Sequence, residues 1–164
     1  MAQARLTFAR LLADASPADL HRGSRGTRWT NEQLLFHMLF GYLIVRALLP
    51  LVKLMGRLPD PVSVRFARLL DALAAPFHAI NYRGSCAGAV VFGHRRMRRR
   101  MDTVIMSLQR HLARETDESL ALRMRFPTRW DPFFTESMTV ADVYHYATEH
   151  FEFHRQQLTL DQAG

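Results

Sequence analysis

His150 and His154 stand four residues apart in His150-Phe151-Glu152-Phe153-His154. In an α-helix that offset is one turn plus about 40°, so both imidazoles leave the same face at a separation that a single metal ion can bridge. Two ligands do not complete a site. His37, on the apolar side of an earlier helical stretch, is the best candidate for a third. Three imidazoles on inward helix faces give up water that one divalent ion can replace by coordinating all of them. Three protein ligands with open positions are the arrangement of catalytic rather than structural metal sites. The plainer alternative, core histidines each satisfied by one hydrogen bond, stands beside this reading.

Helices must position these residues. The last one starts at Thr139, which can cap it with Asp142 at the third position, and is predicted to run to about Leu158. Val143, Tyr146, Ala147, His150, Phe153, His154 and Gln157 share its inward side. The helix bearing His37 opens at Thr30, with Gln33 as the reciprocal capping partner and Trp29 placed as a hydrophobic staple. Leu34, Gly41, Ile44 and Leu48 lie within about 60° of His37 at 100° per residue. Gly41 leaves space beside the imidazole, for a bound ion, a substrate or close helix packing. Further helices are predicted over Gln3 to Ala15, Val62 to Ala75 (ended or bent by Pro76) and His94 to Glu115. The His94 to Glu115 helix carries the clearest stripe: Met97, Met101, Val104, Ile105, Leu108 and Leu112. Asn81 to Gly93, with three glycines, is expected to be a long crossover loop. The segment from Phe126 to Pro132 is expected to connect elements and pack its aromatics over one end of a bundle.

At 164 residues and 48% hydrophobic, the chain fits a single domain, 1–164, with a continuous core. The formal charge of +7 comes from 22 basic and 15 acidic residues, and Lys53 is the only lysine. The run His94 to Arg100 lacks the aromatic interleaving that stacks bases, so it is read as a solvated helix face and not as a nucleic-acid site. Leu34 to Met55 is long and apolar enough to span a membrane. His37, Arg46, Pro50 and Lys53 inside it favour a buried bundle helix over membrane insertion. With Cys86 the only cysteine, no intrachain disulfide can form, and a reducing cytoplasm is expected. Cys86 is not read as a nucleophile.

Known metal motifs narrow the chemistry. HExxH needs glutamate directly after the first histidine, whereas Glu152 lies two after it, about 200° around the helix. Neither Glu32 nor Glu149 has the Glu-x-x-His offset of carboxylate-bridged di-iron bundles.

Trp29-Thr30-x-x-x-Leu34-Leu35-x-His37 resembles the opening of the second helix in the DinB-like superfamily, and His150-x-x-x-His154-Arg155-x-Gln157-Leu158 resembles its last helix. The likeness covers nearly the whole chain except Pro59 to Gly93, which looks longer and more apolar than the usual connection. It implies an all-α, DinB-like four-helix bundle in up-down-down-up order, here with an extra short helix in the long connection between helices 2 and 3. It also implies one divalent metal held by His37, His150 and His154, and often a homodimer. Zinc or nickel comes ahead of iron, although three imidazoles suit several such metals. The superfamily includes enzymes that use low-molecular-weight thiols such as mycothiol or bacillithiol. The expected activity is therefore a thiol-dependent S-transferase or a hydrolase acting on a small-molecule substrate. The alternative is a non-catalytic bundle that binds a small ligand or a partner protein. Where the last helix often carries a further histidine, this chain has Tyr146, a candidate to contact metal-bound water or substrate, or else a core tyrosine.

Overall fold

The computed structural model describes residues 1–160, so 161–164 of the expected domain lie outside the described residues. Among the described residues, seven helices and a two-stranded hairpin follow one another: α1 (Ala2–Asp14), α2 (Pro17–His21), α3 (Asn31–Met55), α4 (Asp60–Ala72), α5 (Ala74–Leu112), α6 (Asp117–Ala121), β1 (Arg123–Arg125), β2 (Ser137–Thr139) and α7 (Val140–Arg155). The fold is all-α apart from the hairpin, with α1, α3, the second half of α5 and α7 forming the bundle.

Both anticipated capping boxes are formed. The Thr30 hydroxyl accepts from the Gln33 amide while Gln33 Oε1 accepts from Thr30 N, and Thr139 and Asp142 make the same exchange at the start of α7. Each satisfies amides that a helix start leaves without intrahelical partners. The core then closes on the periodic stripes. Leu34, Leu35, Met38 and Leu39 of α3 meet Met97, Met101, Ile105 and Leu108 of α5, and Phe8 of α1 meets Phe151 of α7. On α7 the sequence reading placed Phe153 inside, but Phe153 is 41% exposed while Phe151 is fully buried. The packed face of α7 is broader than one stripe because helices flank it on both sides.

Cross-helix bonds set the directions. From α3 to α7 they run in reverse order, Tyr42 with Thr148 and Lys53 through Glu115 to Tyr144, so these two helices are antiparallel. From α3 to the second half of α5 they run in the same order, Arg46 with Ser107 and Lys53 with Glu115 just past the helix end. Parallel neighbours need a return segment, and α4 with the first half of α5 provides it.

That return is where sequence and structure differ most. The expected helix Val62 to Ala75 is α4, Asp60–Ala72, and Pro76 does not end it but sits in the first turn of α5, where a missing N–H is harmless. Asn81 to Gly93 is helix, not loop, up to a break at Gly93 (φ 57°, ψ 163°), a backbone region open essentially to glycine alone. Gly88 lies within this helix, and the Phe36 ring occupies the space a Cβ there would need. The antiparallel hairpin, Arg123 opposite Thr139 and Arg125 opposite Ser137, was read as plain connection. Its loop does carry aromatics onto the bundle, Phe133 against Phe153 and Phe134 against Tyr146 of α7, while Trp130 stacks on Phe77 of the return at 3.8 Å between ring centroids and donates to Leu70 O. α3 is long and apolar enough to cross a membrane by length and composition, and 56% of its most apolar stretch is buried within the fold.

Candidate metal centre

Asn31, the first residue of α3 and fully buried, ties the start of that helix to the chain beyond α7. Its Nδ2 donates to Asp19 O and Thr159 Oγ1, and its Oδ1 accepts from Thr159 N. Arg25 N also donates to Gln157 O. These bonds bring the start of α3 against the end of α7, the two places where the sequence puts its histidines.

One ring nitrogen each of His37, His150 and His154 lies within 4.8 Å of the others, and His37 Nε2 is 3.2 Å from His150 Nε2. Two imidazole nitrogens at about 2.0–2.1 Å from one tetrahedral zinc ion sit about 3.3 Å apart, so the spacing of the His37 and His150 pair suits a shared ion. The remaining ring nitrogens point to the same arrangement. His37 Nδ1 pairs with Ser85 Oγ at 3.2 Å, and His154 Nδ1 with Gln157 Oε1 at 2.7 Å. Histidine ligands typically donate their second N–H in this way, which fixes the tautomer and turns the other nitrogen to the metal. His150 Nδ1 is buried without a hydrogen-bond partner among the described residues. A Cβ on Gly41 would lie 2.8 Å from it, so the space left by that glycine is filled by the His150 ring.

Burial pushes the His37 imidazole down to about 3, reinforced by His154. Burial likewise holds His150 well below the usual range, with His37 and His154 adding to it. His154 is lowered by burial, while Gln157 and Asp131 oppose the shift. All three rings are thus neutral near pH 7, and their lone pairs are not taken by protons.

Trp29, read as a staple, stacks on His37 at 4.4 Å between centroids and meets His154 edge-on at 6.3 Å. Tyr82 also stacks on Trp29, at 5.9 Å between centroids. Tyr146 is buried over His150 at 5.5 Å, and its hydroxyl donates to Asp131 Oδ2 at 2.8 Å. Burial and the Asp131 carboxylate both push that phenol up, so it keeps its proton. Asp131 is raised by burial, against the opposing bonds from Phe133 N and Tyr146. Sequence reasoning missed Ser85, Asp131 and Asn31, and found Gln157 as a residue on the histidine face and in the last-helix motif, without its bond to His154. Three residues after His154, Gln157 was legible as its neighbour. The others belong to segments whose placement no local pattern reports.

His37, His150, Tyr146 and Asp131 open onto a pocket of about 320 Å³ between α3, α4, the first half of α5 and the hairpin loop. His154 is not part of its lining and completes the cluster from behind.

Fold and site together define a helical bundle with a buried three-histidine cluster capable of binding a metal. The profile of the DinB superfamily matches residues 1–158, and the chain belongs to that superfamily. No curated protein and no solved structure matches it.

Proposed function

We propose that the chain is a divalent-metal-dependent enzyme, a thiol-dependent S-transferase or a hydrolase, in which His37, His150 and His154 hold the ion through Nε2. The observation that carries this reading is a cluster of three neutral imidazoles, two of which, His37 and His150, line a pocket large enough for a small substrate. Zinc or nickel suits the all-nitrogen set best, with iron next. The bound ion would supply Lewis acidity, bringing a water or thiol nucleophile toward ionisation near neutral pH. Ser85 and Gln157 keep their histidines in the ligating tautomer, and Trp29 shields His37 from solvent. Tyr146 holds Asp131 in place and presents a protonated phenol to the pocket. The aromatic walls exclude water from the reacting groups.

Elemental analysis of gently purified protein tests the ligand set. Wild type should carry about one ion per chain, and His37→Ala and His154→Ala should lose it while staying folded. Equal metal in all three would overturn the assignment. The alternative, a non-catalytic ligand-binding bundle, draws support from the largely apolar pocket lining. Tight ligand binding with no turnover across thiol and electrophile panels, by metal-loaded protein, would favour it.

A further inference from the structure

Positive charge and exposed apolar surface coincide on α5. Residues 72–101 include no aspartate or glutamate, although Asp71 and Asp102 border them, and their six arginines are Arg83, Arg95, Arg96, Arg98, Arg99 and Arg100. The same segment holds the three most exposed large hydrophobic side chains among the described residues, Val90 at 84%, Ile80 at 71% and Val91 at 65%. Ile80, Gly84, Ala87 and Val91 follow one another at offsets of four, three and four, so they share one face of the first half of α5. Ser85 and Ala89, on the opposite side, are buried, with Ser85 turned to His37. The first face therefore looks outward, and a Cβ on Gly84 would meet nothing within 4 Å.

The break at Gly93 sets arginines beside this apolar face. Arg96, Arg99, Arg100 and Thr103 occupy one side of the second half of α5 and, with Val91 and Phe92, line an open cleft of about 530 Å³. Arg96 Nη1 donates to Val91 O at 3.3 Å, and the Arg100 guanidinium lies over the Phe92 ring at 5.9 Å. Among the described residues none of these three guanidinium groups pairs with a carboxylate. Asp102, the next acidic residue along the chain, turns to Arg5 of α1 at 3.9 Å. Like charges one turn apart destabilise a helix, and exposed valines are unfavourable in water. A layer of anions above an apolar layer relieves both.

We infer that the outer face of α5 docks on a bilayer surface rich in anionic phospholipid. Ile80, Val90 and Val91 enter the headgroup region, while Arg96, Arg99 and Arg100 pair with lipid phosphates. Membrane-surface helices combine exposed apolar side chains with basic ones in this way. Two other occupants suit the surface less well. A second copy placed here about a two-fold axis would bring the same arginines together. A nucleic acid would meet the arginines but leave the valines exposed, and Phe92, the aromatic ring of the cleft, is covered by Arg100 instead of being free to stack on a base. The contact is peripheral, with α3 remaining in the core, and it is independent of the proposed function because the metal centre lies on the other side of α5.

Flotation of the full chain with vesicles of phosphatidylcholine, alone or mixed with phosphatidylglycerol, tests the inference. Binding should be at least about tenfold tighter to the mixed vesicles and should weaken as salt screens the arginines. Each arginine near an anionic surface strengthens binding about fivefold, so Arg96→Gln, Arg99→Gln and Arg100→Gln together should weaken it about a hundredfold. Val90→Asp with Val91→Asp should weaken it at least about tenfold. Arg57→Gln, Arg110→Gln and Arg114→Gln together remove as much charge near the C-terminal end of α5. They should change binding by no more than about twofold, since they lie beyond a Debye length from the cleft. Every variant should keep the helical circular dichroism and the metal content of wild type. No binding, equal binding to both kinds of vesicle, equal losses in the two arginine triples, or undiminished binding by the valine pair would overturn the inference. So would duplex DNA bound more tightly than the mixed vesicles, or a dimer that the valine pair dissociates while wild type leaves the vesicles unbound.

Discussion

At the level of single residues, the site depends on side chains that never touch a ligand. Ser85 and Gln157 each occupy one nitrogen of a histidine, leaving the other to face the shared centre. Removing such an outer partner commonly costs 10–100-fold in metal affinity. Ser85→Ala should therefore weaken zinc binding by about tenfold in a competitive chelator titration, with the helical circular dichroism unchanged; wild-type affinity in the variant would show that Ser85 does not orient His37. The positions of the ligand candidates were legible because helical periodicity fixes a residue's face from its neighbours. The Phe153 assignment failed for the same reason, since periodicity gives a direction but not the width of the surface that covers it.

At the level of elements, capping and one glycine control how the histidines are presented. Thr139 N and its hydroxyl both donate to Asp142 Oδ2, and these bonds hold the Asp142 carboxyl below its usual range. A depressed carboxylate contributes stability above its unfolded pKa of about 3.9 and loses it as pH falls through the folded value. Asp142→Ala should cost about 1 kcal/mol at pH 7. The difference from wild type should shrink steadily below about pH 4, which urea melts across pH would reveal. A gap that is constant down to pH 2 would contradict the cap. Gly93 is the second control point, because its backbone conformation is closed to side chains. Gly93→Ala should destabilise by about 1–3 kcal/mol, read as a lower urea midpoint. A midpoint equal to wild type would mean the break in α5 can be straightened without loss. The stretch before that break was misread because glycine usually punctuates helices, at about 1 kcal/mol each relative to alanine. Here packing outweighs propensity, as the Phe36 ring against Gly88 shows.

At the level of the whole molecule, a shared ion would join α3 to α7 across the bundle. Anything that binds only the folded state stabilises it, by about 2.7 kcal/mol at a hundredfold excess over Kd. For a chain of this size that corresponds to a rise in Tm of roughly 5–10 °C. Zinc should produce such a rise in wild type after chelator treatment, and none in His150→Ala. An equal rise in both would place the ion elsewhere.

The amino-acid sequence by itself determined the capped starts of α3 and α7, most of their inward faces and the three histidines, because caps and periodic stripes are written in residues within a few positions of each other. It also carried the superfamily, through two short motifs in a fixed order. Only the tertiary structure decided that Ser85 meets His37, that Asp131 meets Tyr146 and that Trp29 covers a histidine. These pairings join segments far apart in the chain. They follow from how the return through α4 and the hairpin loop pack on the bundle, and that packing is a balance of many small contacts that no short stretch of sequence contains.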